Sequence, residues 1–248
     1  MPKQRVSLTL EESLVERVDG EAGRKDVNRS QMVEKILDSY FKRKGVETAV
    51  VFCGDPETKT LELHDGKPVL SHVLDHLSEE GISRVMLLVG QNDEIEDNFG
   101  SEYSGIALEY VYEEEPRGTA AALKQIEEKI GETFVAMNGH VIADVDIQDM
   151  LNVHGEEGNV ATMALTAVED PSNYGVARLK GRKVLGFADR PESGEEPSRL
   201  INAGTYILSP EIFSRLEADS MGEVFKQLAS ESELTGYIYG GKWQEIDD

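Results

Sequence analysis

Apolar and polar residues alternate strictly over Arg5-Val6-Ser7-Leu8-Thr9-Leu10, which puts Val6, Leu8 and Leu10 on one face of a strand and Arg5, Ser7 and Thr9 on the other. A lone strand leaves its backbone groups unpaired, so the pattern predicts a second chain beside it and an obligate homodimer. The period then changes. Glu11 and Glu12 open a helix with Leu14, Val15 and Val18 at helical spacing, and Gly20, Gly23 and the charged residues to Asp26 are expected to end it. A second helix is predicted behind Asn28 as N-cap, with Gln31 completing a capping box. Its apolar stripe is Met32, Val33, Ile36, Leu37, Tyr40 and Phe41.

From Thr48 onward, strand-like runs alternate with helical patterns: Ala49–Cys53, Pro68–Leu77, Val85–Val89, Glu94–Phe99, Leu108–Val111, Thr119–Ile130 and Phe134–Met137. That order predicts an α/β domain with a mixed, mostly parallel sheet and flanking helices. Beyond Val160 strands dominate, at Ala161–Val168, Val176–Leu179, Val184–Ala188 and Ala203–Leu208, before helices near Pro210–Leu216 and Gly222–Ser230. Two domains are expected, 1–45 and 46–248, with 42–48 too short for a free tether between them.

Charge separates the same two pieces. The 248 residues carry 25 Lys+Arg against 48 Asp+Glu, a net −23; residues 1–45 hold 10 basic and 8 acidic groups, leaving 15 and 40 for the remainder. The larger piece therefore repels itself and nucleic acid unless salt screens it, which points to a halophile cytoplasm. A single cysteine, Cys53, in an apolar run excludes an intrachain disulfide. No apolar run reaches the roughly 20 residues that span a bilayer, and the polar start lacks a signal-like core, so a cytoplasmic protein with no membrane partner is expected.

Strand, helix, turn and helix within residues 3–44, with Arg-Val-Ser-Leu-Thr-Leu and Asn-Arg-Ser-Gln-Met-Val signatures, resemble a ribbon-helix-helix DNA-binding domain. The resemblance implies double-stranded DNA as partner. Arg5, Ser7 and Thr9 would face the bases from the ribbon, Lys3 would also contact the DNA, and the backbone at Asn28, Arg29 and Ser30 would meet the phosphate backbone.

Residues 48–248 resemble the sugar nucleotidyltransferases in a series of segments: Gly66-Lys67-Pro68-Val69-Leu70, Glu115-Pro116-Arg117-Gly118-Thr119-Ala120, Asn138-Gly139, Tyr174-Gly175, Asp189-Arg190-Pro191 and Ile201-Asn202-Ala203-Gly204. The resemblance implies a Rossmann-like fold with one cleft at the carboxyl ends of its strands. Gly54, Lys59, Gly118, Thr119, Asn138, Gly139, Tyr174, Gly175, Asp189, Arg190, Asn202 and Gly204 would line it, taking a sugar phosphate, nucleotide or nucleotide sugar. Two family features are altered. Asp55 and a short turn stand where a glycine-rich loop cradles triphosphate. His140 and Glu245 stand at the family's two Mg²⁺ aspartates, with Asp144 and Asp146 nearby and Asp146 better suited to capping a helix. The expectation drawn is a transcriptional regulator with a catalytically degenerate sensor domain and no cofactor. The alternatives are an active, Mg²⁺-dependent nucleotidyltransferase with an appended dimerisation domain, and a DNA-binding protein whose large domain is only a scaffold.

Overall fold

The computed structural model describes residues 6–25, 27–42, 45–54, 59–113, 115, 117–192 and 194–246. The chain divides into two compact units, residues 1–44 and 45–248.

Unit 1 holds α1 (Glu12–Arg24) and α2 (Arg29–Lys42). Asn28 Oδ1 accepts from Gln31 N and Gln31 Oε1 accepts from Asn28 N, each at 3.0 Å, the reciprocal capping box expected from the residues. Contrary to expectation, α1 runs through Gly20 and Gly23 to Arg24. Burial of Val18 and Ala22 against Met32, with Val27 and Val33 partly covered, supports the turns that glycine weakens. Residues 6–11 carry neither strand nor helix, where alternation over residues 5–10 predicted a strand.

Unit 2 contains, in chain order, β1 (Thr48–Phe52), β2 (Leu63–His64), β3 (Lys67–Pro68), α3 (Val69–Glu79), β4 (Arg84–Gly90), α4 (Glu94–Phe99), β5 (Glu102–Tyr103), β6 (Ile106–Tyr112) and α5 (Thr119–Lys124). It continues with β7 (Phe134–Asn138), β8 (Val141–Ala143), α6 (Ile147–Glu157), β9 (Ala161–Ala167), β10 (Gly175–Lys180), β11 (Lys183–Asp189), β12 (Leu200–Leu208), α7 (Met221–Glu231), β13 (Leu234–Ile238) and β14 (Trp243–Glu245). Ten strands form one sheet in the order β10-β11-β13-β9-β12-β7-β1-β4-β6-β5. Neighbours β7, β1, β4 and β6 are parallel, whereas β12 runs antiparallel to both β7 and β9. The predicted helix over Thr119–Ile130 stops at Lys124, and Glu127–Lys129 forms a 3-10 turn instead.

Alternating side chains of the buried strands feed two cores, one on each face of the sheet. Val50 and Phe52 of β1 pack with α5 and α7, while Ala49, Val51 and Cys53 pack with α3, α4 and α6. Buried on both faces, β1 reads as an unbroken apolar run. β8 pairs antiparallel with β14 in a separate two-stranded sheet. Among the described residues no helix is long and apolar enough to cross a membrane.

His154 of α6 is buried between β9 and the turn after β12, with Nδ1 2.9 Å from Thr162 Oγ1 and Nε2 2.9 Å from Ser209 Oγ. Burial lowers its pKa from 6.5 to about 4, so the folded ring stays neutral where the unfolded ring takes up a proton. Stability should therefore fall as pH drops from about 6.5 towards 4, by at most about 3 kcal/mol from this group. Denaturant titrations at pH 7 and pH 4.5 should show a smaller acid loss in His154→Gln than in the parent. An equal loss in both would remove His154 as the cause.

Candidate active site at the carboxyl edge of the sheet

Three neighbouring parallel strands end in glycine at one edge. A Cβ on Gly54 would lie 2.8 Å from Gly90 N, and one on Gly139 would lie 2.8 Å from Cys53 Sγ and 3.0 Å from Phe52 O. Side chains are excluded there because backbone already fills the space, and the Gly139 amide donates to Phe52 O at 2.9 Å. Beside them, Cys53 is a buried free thiol whose pKa burial pushes up, so it acts as core.

The antiparallel half adds polar groups to this edge. Asn202 spans a bulge in β12, accepting from Gly204 N at 3.0 Å and donating to Tyr206 Oη at 2.8 Å. Gly204 has φ +75°, and a Cβ there would lie 3.0 Å from Asn138 Nδ2. These contacts join Asn138, Asn202 and Gly204. The Tyr174 ring meets Trp243 edge-on with centroids 5.4 Å apart, and Trp243 Nε1 donates to Ala203 O at 3.3 Å. Tyr174 O accepts from Arg190 N at 3.0 Å, and Arg190 adopts φ 45°, a left-handed conformation that carries strain outside glycine.

Other candidates have structural partners. A Gly175 Cβ would strike the Phe187 ring at 2.4 Å, and a Gly222 Cβ would strike Asp189 Oδ2 at 2.6 Å, so Asp189 lies against the first turn of α7. Gly118 has φ +135° and would meet Asp219 O at 2.5 Å if it bore a Cβ. Asp219 O accepts from Ala120 N at 2.9 Å and Asp219 Oδ1 from Arg117 at 2.8 Å, while Thr119 Oγ1 accepts from Met221 N at 3.1 Å. Gly118 and Thr119 thus dock the start of α5 onto the turn before α7. Lys59 lies 3.6 Å from Glu62 with 17 % of its side chain exposed. Asp55 lies outside the described residues.

The β8–β14 ladder sets Val141 opposite Glu245, and Ile246 N donates to His140 O at 3.2 Å. In consequence His140 Nε2 sits 3.2 Å from Glu245 Oε1, with each side chain 20 % exposed. His140 Nδ1 is buried and, among the described residues, has no hydrogen-bond partner. Asp146 caps α6, its Oδ1 accepting from Asp149 N at 2.7 Å, as its position before Ile147 predicted. Glu113 escaped the sequence reading. It follows β6 at the same edge, donates its backbone N–H to Gly90 O at 2.8 Å, and is buried with Gln125 Nε2 3.3 Å from its carboxylate. Burial raises its pKa. Its only sequence signal is proximity to Glu115-Pro116-Arg117-Gly118.

The nucleotidyl transferase family model matches residues 55–246, and the chain belongs to that family. The Danio rerio mannose-1-phosphate guanylyltransferase catalytic subunit beta is 32% identical over 191 residues, 73% of this chain and 52% of the relative. The Hypocrea jecorina mannose-1-phosphate guanyltransferase is 30% identical over 192 residues, again 73% and 52%. The chain spans about half the length of the curated relatives it matches. The fold is shared with a UDP-glucose pyrophosphorylase solved with UDP-glucose, at TM-score 0.69 and 19% identity, covering 80% of this chain and 92% of that one.

These relatives are named as enzymes, and they overturn the expectation of a DNA-binding transcriptional regulator built on a degenerate enzyme domain. Lys3 and Arg5 lie outside the described residues, and Ser7 and Thr9 are exposed on a segment with no ladder. Asn28 is engaged in its capping box. The Arg29 side chain contacts Asp19, Nε at 2.6 Å and one terminal nitrogen at 2.5 Å. Ser30 is exposed in the first turn of α2.

Gly54→Ala should cost about 1–3 kcal/mol, because the new methyl displaces backbone rather than a flexible side chain. Gly131→Ala, where nothing lies within 4 Å, should stay within about 0.5 kcal/mol of the parent. Thermal melts of the two variants compare them directly, and equal melting would contradict the close approach of β1 and β4.

Proposed function

We propose that this chain is a sugar-phosphate nucleotidyltransferase that joins a nucleoside triphosphate to a sugar 1-phosphate, with unit 1 as a ribbon-helix-helix dimerisation module. A phosphate oxygen of the sugar 1-phosphate attacks the α-phosphorus, the bond from that phosphorus to the bridging oxygen breaks, and pyrophosphate leaves. The observation that carries the reading is the gathering of Gly54, Asn138, Gly139, Asn202 and Gly204 at one sheet edge, on a chain whose relatives are mannose-1-phosphate guanylyltransferases. In this reading Lys59 and Arg190 take phosphate, and Asn202 with the Tyr174-Gly175 backbone takes sugar hydroxyls. The tight glycine positions keep side chains out of the edge where the phosphates would lie.

Glu113 is proposed to read the base. As a carboxylate it only accepts hydrogen bonds, which complements the N1–H and N2–H₂ donors of guanine. The relatives' names point to guanosine triphosphate and mannose 1-phosphate as the first pair to assay. Pyrophosphate release from that pair is expected, and Glu113→Gln should reduce the preference for guanine by about tenfold or more, the worth of a hydrogen bond to a charged group. Absence of pyrophosphate across all four nucleoside triphosphates, a panel of sugar 1-phosphates and several divalent ions would sink the proposal.

Mg²⁺ gathers phosphate charge in this family's chemistry. The donor set here does not fit it. An imidazole nitrogen and one carboxylate oxygen stand at the site, and among the described residues no third His, Cys, Asp or Glu joins them. Mg²⁺ takes oxygen donors in a near-octahedral shell.

Unit 1 supports self-association through what it leaves uncovered. Among the described residues its buried apolar side chains are Val18, Ala22 and Met32, while Val6 is 69 % exposed, Leu8 58 % and Leu37 42 %. A second copy pairing residues 6–10 would cover this exposed apolar face. Sedimentation of the parent should give a dimer, and Leu8→Glu should shift it to monomer. A monomeric parent would remove the dimerisation role.

A further inference from the structure

We propose that residues 59–68 form a clip that presents Lys59 to phosphate, and that His72 and Asp75 of α3 are positioning residues acting through it. Lys59 as a phosphate ligand rests on the nucleotidyltransferase reading. The clip stands on its own contacts.

β1 and β4 are parallel neighbours joined through α3, so α3 begins at the carboxyl edge that carries Gly54. Its N-cap, Pro68, supplies no side-chain acceptor for the first turn. The amides of Val69 and Leu70 donate instead to Glu62 O at 2.9 Å and Thr60 O at 3.0 Å, and Glu62 N donates to Lys59 O at 3.1 Å. Those two amides are thereby committed to the turn 59–62 and are not offered to an anion. Thr60 is buried and Leu61 packs on the core beneath, while Lys59 lies 3.6 Å from Glu62 within the same turn.

A hairpin closes the chain between Glu62 and Val69. β2 and β3 pair His64 with Lys67 across Asp65 and Gly66, whose φ values of 50° and 83° suit a two-residue turn. Both hairpin strands then return to α3. His72 Nε2 donates to His64 O at 2.9 Å with the two rings edge-on at 5.5 Å, and Lys67 forms an ion pair with Asp75. His72 and Asp75 lie one helical turn apart, so a single face of α3 holds both strands. A latched hairpin leaves the lysine turn little freedom to lose when phosphate arrives, whereas binding to a released one must also order it.

Titration calorimetry of the full chain with each of the four nucleoside triphosphates, in the absence of sugar phosphate, tests this without turnover. For the nucleotide that binds the parent most tightly, Lys59→Gln should weaken binding about tenfold. Asp75→Lys sets two ammonium groups together and should weaken it about fivefold, with His72→Leu acting in the same direction. Added positive charge alone would tighten an anion, so weakening by Asp75→Lys reports a loosened clip. Adding Lys67→Asp rebuilds the pair in reverse at the parent's net charge, and should return binding to within about twofold of the parent. In a Lys59→Gln background neither α3 change should weaken binding further. Thermal melts show that each variant is folded. Parent-like binding by both α3 variants, equal weakening with and without Lys59, or no recovery in the reversed pair would overturn the inference. Coupling to Lys59 with no pyrophosphate release would overturn the enzyme reading alone. Pyrophosphate release without that coupling would overturn this inference alone, and a parent that binds none of the four nucleotides would overturn both.

Discussion

Backbone converges at the ends of β1, β4 and β7 more closely than any side chain permits. Gly54 and Gly90 stand in mutual contact, Gly139 rests on Cys53 and Phe52, and the candidate cleft depends on that approach. Parallel strands bring their carboxyl ends to one edge, and glycine at each end leaves that edge lined by amides and carbonyls. A larger residue at any of the three positions would push the strands apart. The apolar runs behind them, buried on both faces, provide the rigidity that holds the edge in place.

A second constraint acts through β12. Because it runs antiparallel between β7 and β9, it brings Asn202 and Gly204 beside Asn138 from the opposite chain direction. The bulge spanned by Asn202 sets this alignment, with Tyr206 as a buried partner whose hydroxyl pKa burial pushes up. On the far side, Asp219 joins the starts of α5 and α7, which gives Gly118 a packing reason for being glycine independent of any ligand. A glycine in a ligand-binding motif can therefore be required by its own neighbours.

An altered motif is not in itself a lost activity. The short sequence at Asp55 and the histidine at 140 each depart from a family pattern, yet a substituted residue can alter chemistry without abolishing it. His140 and Glu245 meet at 3.2 Å, a pair rather than two remnants. Arg29 in the first turn of α2 contacts Asp19 through its side chain. Sequence position near a helix start exposes a side chain to several partners, and the nearest opposite charge takes it.

Periodicity alone determined much of the architecture: the capping box at Asn28 and Gln31, α4 over Glu94–Phe99, and the buried runs of β1, β4 and β7 are local patterns that tertiary structure had no reason to overrule. The continuation of α1 through Gly20 and Gly23 was not legible, since contacts with α2 outweigh local propensity. Short β8 and β14 carry too few residues for a pattern, and only their pairing brings Glu245 to His140. Glu113 likewise reads as one acid in an acidic stretch until burial distinguishes it. Local order follows from spacing within a few residues; a site made from distant segments follows from which strands pair and in what direction, and that choice belongs to the folded chain.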